Sequence, residues 1–128
     1  MVNSIKIFYL SCFVVLLGCE TKNAPLSGKL SFVKDTLYIK TKSKGVTDTF
    51  QVYCSNAGKA ALKIINAEGS CGCTAIQFDS LDILPNESKK LTITYKHNGD
   101  TTASFLKNIV FLNSGTPKFK VFYLKTYN

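Results

Sequence analysis

The stretch Ser88–Lys96, with the sequence Ser-Lys-Lys-Leu-Thr-Ile-Thr-Tyr-Lys, decides the fold class. Its apolar residues Leu91, Ile93 and Tyr95 alternate with Thr and Lys, and this period of two predicts a β-strand that buries one face. Comparable stretches follow along the chain, separated by Gly, Asn, Asp and Pro, and none has a convincing helical period. We therefore predict an all-β protein. The other predicted strands cover residues 37–40, 47–54, 60–68, 74–84 with a break at 79–80, 104–112 and 118–125.

The chain has 128 residues, of which 45% are hydrophobic and 12% aromatic, enough for the core of one domain. Seven predicted strands at this length fit an immunoglobulin-like β-sandwich, which we place at residues 30–128. The antibody form of that sandwich packs a Trp against a disulfide between its two sheets. This chain has no Trp and its Cys spacing does not suit such a bridge, so another branch of the architecture is expected.

The N-terminal residues resemble a bacterial lipoprotein signal. Lys6 precedes an apolar run from Ile7 to Leu17, which is too short for a membrane-spanning helix. Leu16-Leu17-Gly18-Cys19 is similar to the lipobox, which implies cleavage after residue 18 and a lipid, including palmitate, on Cys19. The alternatives are that Cys19 is an ordinary apolar residue of the signal or that cleavage occurs elsewhere.

We interpret residues 1–18 as the signal peptide and residues 19–29 as a flexible tether between the lipid and the sandwich. Acyl chains on Cys19 would attach the domain to a membrane without a spanning helix. The expected location is the cell envelope, at the outer membrane, facing either the periplasm or the cell surface.

The net charge of +8 comes from Lys alone, since the sequence contains no Arg. Nucleic acid is not expected as a partner, because the bidentate Arg fork that reads bases is missing. Lys on edge strands prevents sheets from pairing edge to edge, and this explanation needs no ligand. The alternative is a basic face that binds anionic headgroups or acidic glycans.

Several segments together resemble a bacterial family of unknown function, typified by lipoproteins of the Bacteroidetes. The resemblance covers residues 36 to 125, and Asn86 stands where the family's Pro-Gly-Glu turn has Gly, which an Asn tolerant of positive φ can replace. It implies distant kinship with PapD-like sandwich modules, most of which bind proteins or hold structures together, and it implies no known activity. The segments that carry it are Thr49–Gly58, Leu62–Ile64, Ser70–Thr74, Ile83–Glu87 and Phe105–Ile109.

Cys71 and Cys73 flank Gly72 and are the candidate functional pair. Three alternatives are open: a disulfide, which an oxidising compartment favours; two thiols packed as small apolar groups; or a Cu(I) or Zn(II) site. A metal would need further ligands, and we expect His97 to be a solvated loop residue, with a third-ligand role as its alternative. Cys54 should be an inward, unpaired thiol at the opposite end of the sandwich, roughly 30 Å from Cys71.

An enzyme is not predicted, because no paired carboxylates or nucleophile converge on the only His, and no cofactor is expected. The favoured function is a lipid-anchored, non-catalytic module, monomeric, that holds a protein or glycan partner through sheet edges or loops. The alternative is thiol redox chemistry or copper and zinc handling through Cys71 and Cys73.

Overall fold

A computed structural model describes residues 26–80, 82–99 and 104–128. These residues form eight strands and no helix, so the expected all-β class is confirmed. None of the described segments forms a helix of the length and apolar character required to cross a membrane. The predicted signal peptide, Cys19 and Leu81 lie outside the described residues. The strands are β1 (Leu30–Phe32), β2 (Thr36–Lys40), β3 (Thr47–Asn56), β4 (Ile64–Gly69), β5 (Thr74–Gln77), β6 (Ser88–Lys96), β7 (Leu106–Asn113) and β8 (Phe119–Tyr127).

The strands make two four-stranded sheets, one with the order β1-β3-β6-β5 and the other with the order β2-β8-β7-β4. The chain crosses between the sheets after β1, because β1 pairs with β3 while β2 pairs with β8 in parallel. It crosses again between β4 and β5, which are edge strands of different sheets. Residues 70–73 make the β4–β5 crossing, so the Cys-Gly-Cys segment joins the two sheets at one corner.

The core lies between the two sheets. Leu91, Ile93 and Tyr95 are buried, as the alternation in β6 predicts, and they belong to the same apolar cluster as Phe111 and Phe122 from the other sheet. Burying a side chain of this size stabilises the fold by about 1.5–3 kcal/mol. The cluster is therefore what holds the sheets face to face.

Several boundaries differ from the sequence prediction, most of all in the broken strand predicted over 74–84, of which only β5, Thr74–Gln77, forms among the described residues. Strand β1 was not predicted, because three residues are too few to display an alternating pattern. The predicted strand 60–68 begins only at Ile64, and Leu62 makes an isolated bridge to Ile83 instead. The end of the predicted tether, residues 19–29, already packs on the sandwich, since the carbonyl of Ser27 accepts a hydrogen bond of 3.0 Å from the amide of Lys59, and residues 19–25 lie outside the described part of the chain.

Two turns follow the expected chemistry. Asn86 has a φ of +64°, so the prediction that it takes the glycine position of the β5–β6 connection is confirmed. The turn between β7 and β8 contains a cis peptide bond between Thr116 and Pro117. Each turn connects two antiparallel neighbours of one sheet, β5 with β6 and β7 with β8, and its geometry is set locally.

Candidate functional site

The corner between β4 and β5, residues Ser70–Thr74, contains the candidate cysteine pair, and we call it the cysteine corner. Cys71 and Cys73 are joined by a disulfide, with their Cα atoms 5.2 Å apart. Both residues are half-buried, while Gly72 between them is exposed. Of the three alternatives for this pair, the structure contains the disulfide.

Backbone hydrogen bonds hold both flanks of the cysteine corner. The amide of Ser70 donates to the carbonyl of Asn108 at 2.8 Å, and the amide of Lys96 donates to the carbonyl of Cys73 at 2.8 Å. The hydroxyl oxygen of Thr74 lies 3.6 Å from the Cys71 sulfur and 3.9 Å from the Cys73 sulfur. The disulfide is therefore anchored to β7 on one side and to β6 on the other.

His97 is buried, with an exposed fraction of 4%, so the expectation of a solvated loop residue is wrong. Its Nδ1 atom accepts a hydrogen bond of 3.2 Å from the amide of Lys42, which leaves the proton on Nε2. Nε2 then donates to Asp48 Oδ2 at 3.0 Å. The ring also packs edge-on against Tyr95, with centroids 4.9 Å apart. His97 therefore fastens the loop after β2 to β3 and β6.

Asp48 completes a small polar cluster with His97 and Lys42. Its Oδ1 lies 2.6 Å from Nζ of Lys42. The Lys42 ammonium above all, and the His97 ring N–H second, hold the pKa of Asp48 below its ordinary value. Sequence reasoning missed this cluster, because the carboxylate and the imidazole are far apart in the chain and neither belongs to a recognisable motif.

The alternative metal site with Cys71, Cys73 and His97 is not assembled. The two sulfur atoms are bonded to each other, and both His97 ring nitrogens have protein partners. Within residues 26–80, 82–99 and 104–128, no group of three or more His, Cys, Asp or Glu side chains could hold a metal ion. His97 does lie at the same end of the sandwich as the cysteine corner, as predicted.

A shallow cleft of about 400 Å³ adjoins the cysteine corner, and we call it the lysine cleft. Gly72 and Cys73 line it together with Lys44 and Lys96. The described residues that line it include no acidic side chain. The complete described lining is Lys44, Gly45, Gly72, Cys73, Lys96, His97 and Asn98.

Cys54 is buried and unpaired, as the alternation in β3 predicts. It lies opposite Lys89 on β6, whereas Thr74, next to the disulfide, lies opposite Tyr95. The rise of about 3.3 Å per residue along β6 puts the two cysteine sites about 20 Å apart. The expected separation was larger, because the intervening strand β4 has six residues and not the nine predicted.

The second surface feature is an open sheet edge along Thr47–Tyr53, which we call the β3 edge. Strand β1 pairs only with Cys54, Ser55 and Asn56 of the ten-residue β3 before it leaves for the other sheet. Among the described residues, no strand covers the remaining length on that side. Sequence periodicity could not reveal this, because the uncovered residues alternate as in any paired strand.

An apolar cleft of about 350 Å³ lies between the β3 edge and the start of β2, and we call it the edge cleft. Val33, the first residue after β1, is 91% exposed at its rim. The side chains of Val52, Leu37 and Phe122 connect the cleft to the core. The remaining lining residues are Lys34, Thr36, Gln51 and Tyr53.

A protein-family match covers almost the whole of the sandwich. The family described as "Protein of unknown function (DUF1573)" matches residues 30–127. This chain belongs to the DUF1573 family. The match extends over both sheets, from β1 through β8, and it confirms the expected resemblance to a family of unknown function. None of the curated proteins compared with the chain matches it in sequence.

Solved structures similar to this DUF1573 chain share its fold at low sequence identity. A protein of unknown function from Porphyromonas gingivalis W83 matches with a TM-score of 0.66 at 14% identity, over 87% of this chain and 51% of that one. The chain thus spans about half the length of that protein. The ASH / PapD-like domain 7 of human CEP192 matches with a TM-score of 0.62 at 12% identity, over 85% and 91% of the two chains.

The VesB protease of Vibrio cholerae matches with a TM-score of 0.55 at 10% identity, over 80% of this chain and 32% of the protease chain. At such identities the likeness concerns the fold alone. The PapD-like and immunoglobulin-like architecture expected from the sequence is thereby confirmed, with eight strands in place of seven.

Proposed function

We propose that this DUF1573 protein is a lipid-anchored, non-catalytic binding module that captures an extended segment of a partner protein along the β3 edge. The single observation that carries the proposal is that β1 covers three residues of the ten-residue β3 and leaves the rest open. An open edge is a template for another strand, and main-chain hydrogen bonds then supply affinity. The PapD-like likeness supports a binding role in place of catalysis.

The direction of the backbone groups supports strand addition. The amide of Asn56 bonds toward β6 at Glu87, and the amide of Ala57 bonds toward β1 at Lys29, so successive residues of β3 face opposite sides. By this alternation the N–H and C=O groups of Thr49, Gln51 and Tyr53 point to the open side. An added strand would find three consecutive pairing positions there.

The edge cleft supports an apolar side chain in the partner. Val33 at the rim and Leu37 and Phe122 below it form an apolar entrance beside the pairing positions. Lys34 borders the cleft, and Lys90 lies opposite Tyr53 in the register. We therefore expect an extended peptide with one apolar residue inserted into the cleft and acidic residues on its flanks.

Peptides selected from a random displayed library against the full chain in detergent test this proposal. Selected binders should share an apolar residue flanked by Asp or Glu, and they should slow hydrogen exchange at the amides of Thr49, Gln51 and Tyr53. Val33→Asp and Gln51→Pro should each weaken binding about tenfold, since proline removes an edge N–H without touching the β6 ladder.

Ile65→Asp is the matched control, because Ile65 is another exposed apolar side chain, on β4 at the far edge of the other sheet. It should leave peptide affinity unchanged. The binding proposal is rejected when no peptide is enriched over an unrelated sandwich, or when Val33→Asp and Gln51→Pro bind the selected peptides as well as the parent.

The anchor is a separate part of the proposal. Residues 1–18 would be removed, Cys19 would carry the lipid, and about seven residues before Ser27 would link it to the sandwich as a monomer in the cell envelope. Radiolabelled palmitate should enter the parent and not Cys19→Ser, and Cys12→Ser should incorporate it normally. A Cys19→Ser protein that still labels would refute the anchor without bearing on the β3 edge.

A further inference from the structure

We propose that the cysteine corner is a thiol–disulfide exchange site that accepts electrons from acidic thiol peptides through Cys73. This activity goes beyond the proposed peptide binding, since it uses another end of the sandwich and another cleft. The disulfide of Cys71 and Cys73 is the oxidant, and a dithiol segment of a second protein is the reductant.

The geometry favours attack at Cys73. Cys73 lines the lysine cleft, whereas Cys71 does not. Gly72 between them is exposed, and no atom lies within 4 Å of the position that a Cβ would take, so the segment is open to solvent beside Cys73. A thiolate that enters the cleft therefore meets the Cys73 sulfur first.

The charges of the cleft favour an anionic nucleophile. Lys44 and Lys96 line it, and its described lining holds no carboxylate. The nearby carboxylate of Asp48 is paired with Lys42 and turned to His97. Within this described lining, Lys44 and Lys96 should attract both a thiolate and acidic residues around it, because charge-lined clefts concentrate ligands of opposite sign.

The structure also provides for the leaving group. When a thiolate R–S⁻ attacks Cys73, the R–S–S–Cys73 bond forms, the Cys71–Cys73 bond breaks, and Cys71 leaves as a thiolate. Thr74 Oγ1 is 3.6 Å from the Cys71 sulfur and can donate its hydroxyl proton to a hydrogen bond there. The second thiol of the reductant, as its thiolate, then attacks the reductant's first sulfur atom, which is bonded to Cys73 in the mixed disulfide. This forms the disulfide of the reductant and releases Cys73 as a thiolate.

The overall reaction is balanced. The dithiol loses two electrons and two protons and becomes a disulfide, and Cys71 and Cys73 gain them and become thiols. The hydrogen bonds of Ser70 to Asn108 and of Lys96 to Cys73 hold the flanks of the corner, so the two thiols should remain neighbours after reduction.

Two synthetic peptides of equal length test the site on the full chain in detergent, each with one Cys, one flanked by Glu and the other by Lys. After reaction and rapid alkylation, fragment masses should place the peptide on Cys73 and the alkyl group on Cys71. The acidic peptide should react about tenfold faster than the basic one.

A combined Lys44→Gln and Lys96→Gln substitution should reduce that preference to about twofold. Lys59→Gln removes the same charge from the exposed turn after β3, at the end of that strand opposite Lys96, and should leave the preference intact. The proposal is overturned by attachment mainly at Cys71, by equal rates for the two peptides, or by the absence of any mixed disulfide.

Discussion

The side-chain amide of Asn56 donates a hydrogen bond of 2.8 Å to the carbonyl of Ile83. This contact links the end of β3 to the connection between β5 and β6. The same amide donates to the carbonyl of Ala60 at 2.7 Å. Its oxygen accepts from the amides of Lys29 at 3.0 Å and Gly58 at 2.9 Å. One fully buried side chain thus satisfies four backbone groups from three separate segments.

Asn56→Ala should lower the free energy of unfolding by about 3 kcal/mol, because it leaves buried backbone donors and acceptors without hydrogen-bond partners. Urea unfolding followed by circular dichroism measures this. Asn66→Ala, at an exposed position of β4, is the control and should cost less than about 0.5 kcal/mol. Similar losses in the two variants would mean that water replaces the Asn56 side chain.

Asp48 should make the free energy of unfolding depend on pH. Its pKa is lowered in the folded protein, chiefly by Lys42 and next by His97, so its stabilising contribution is complete above its unfolded value, near 3.8, and is lost as the pH falls through the folded value. The free energy of unfolding should therefore fall more steeply in the parent than in Asp48→Asn between pH 5 and pH 2. An unchanged slope in Asp48→Asn would contradict the prediction.

Asn86 should tolerate Gly better than Ala. Its φ of +64° lies in the left-handed region, where a Cβ without a compensating side-chain hydrogen bond costs about 1–2 kcal/mol. Urea midpoints should therefore place Asn86→Gly close to the parent and Asn86→Ala below it. Equal midpoints for the two variants would show that the turn relaxes to another conformation.

Gly115 should not accept a side chain. An added Cβ would lie 2.7 Å from Leu62 Cδ1 and in closer contact with the Gly28 carbonyl. Gly115→Ala should lower the free energy of unfolding by about 2 kcal/mol, because backbone must move to make room. Gly72→Ala meets no atom within 4 Å and should be nearly neutral, so equal destabilisation would argue against this close approach.

Cys54 should react slowly with a maleimide in the native protein. Burial raises the pKa of the Cys54 thiol, and the thiolate is the reactive form. After mild reduction, Cys71 and Cys73 should label within minutes while Cys54 labels only in denaturant, as peptide masses will show. Rapid native labelling at Cys54 would contradict its position in the core.

Alternation along β6 predicted the strand, its bounds and its buried face, because a pleated strand places every second side chain on the same side. Asn86 was also predictable, since its turn is set by a few neighbouring residues. The three-residue β1 and the start of β4 were not, because their pairing depends on partners far along the chain.

The sequence by itself determined the all-β class, the inward sides of β3 and β6 and the cysteine pair. Only the tertiary structure decided that His97 is buried against Asp48, that β1 leaves most of β3 uncovered, and that the lysine cleft adjoins Cys73. The physical reason is the distance along the chain over which each property is set. Side-chain alternation and turn conformation are local properties, whereas burial of a loop residue and exposure of a sheet edge depend on which distant segments pack beside them.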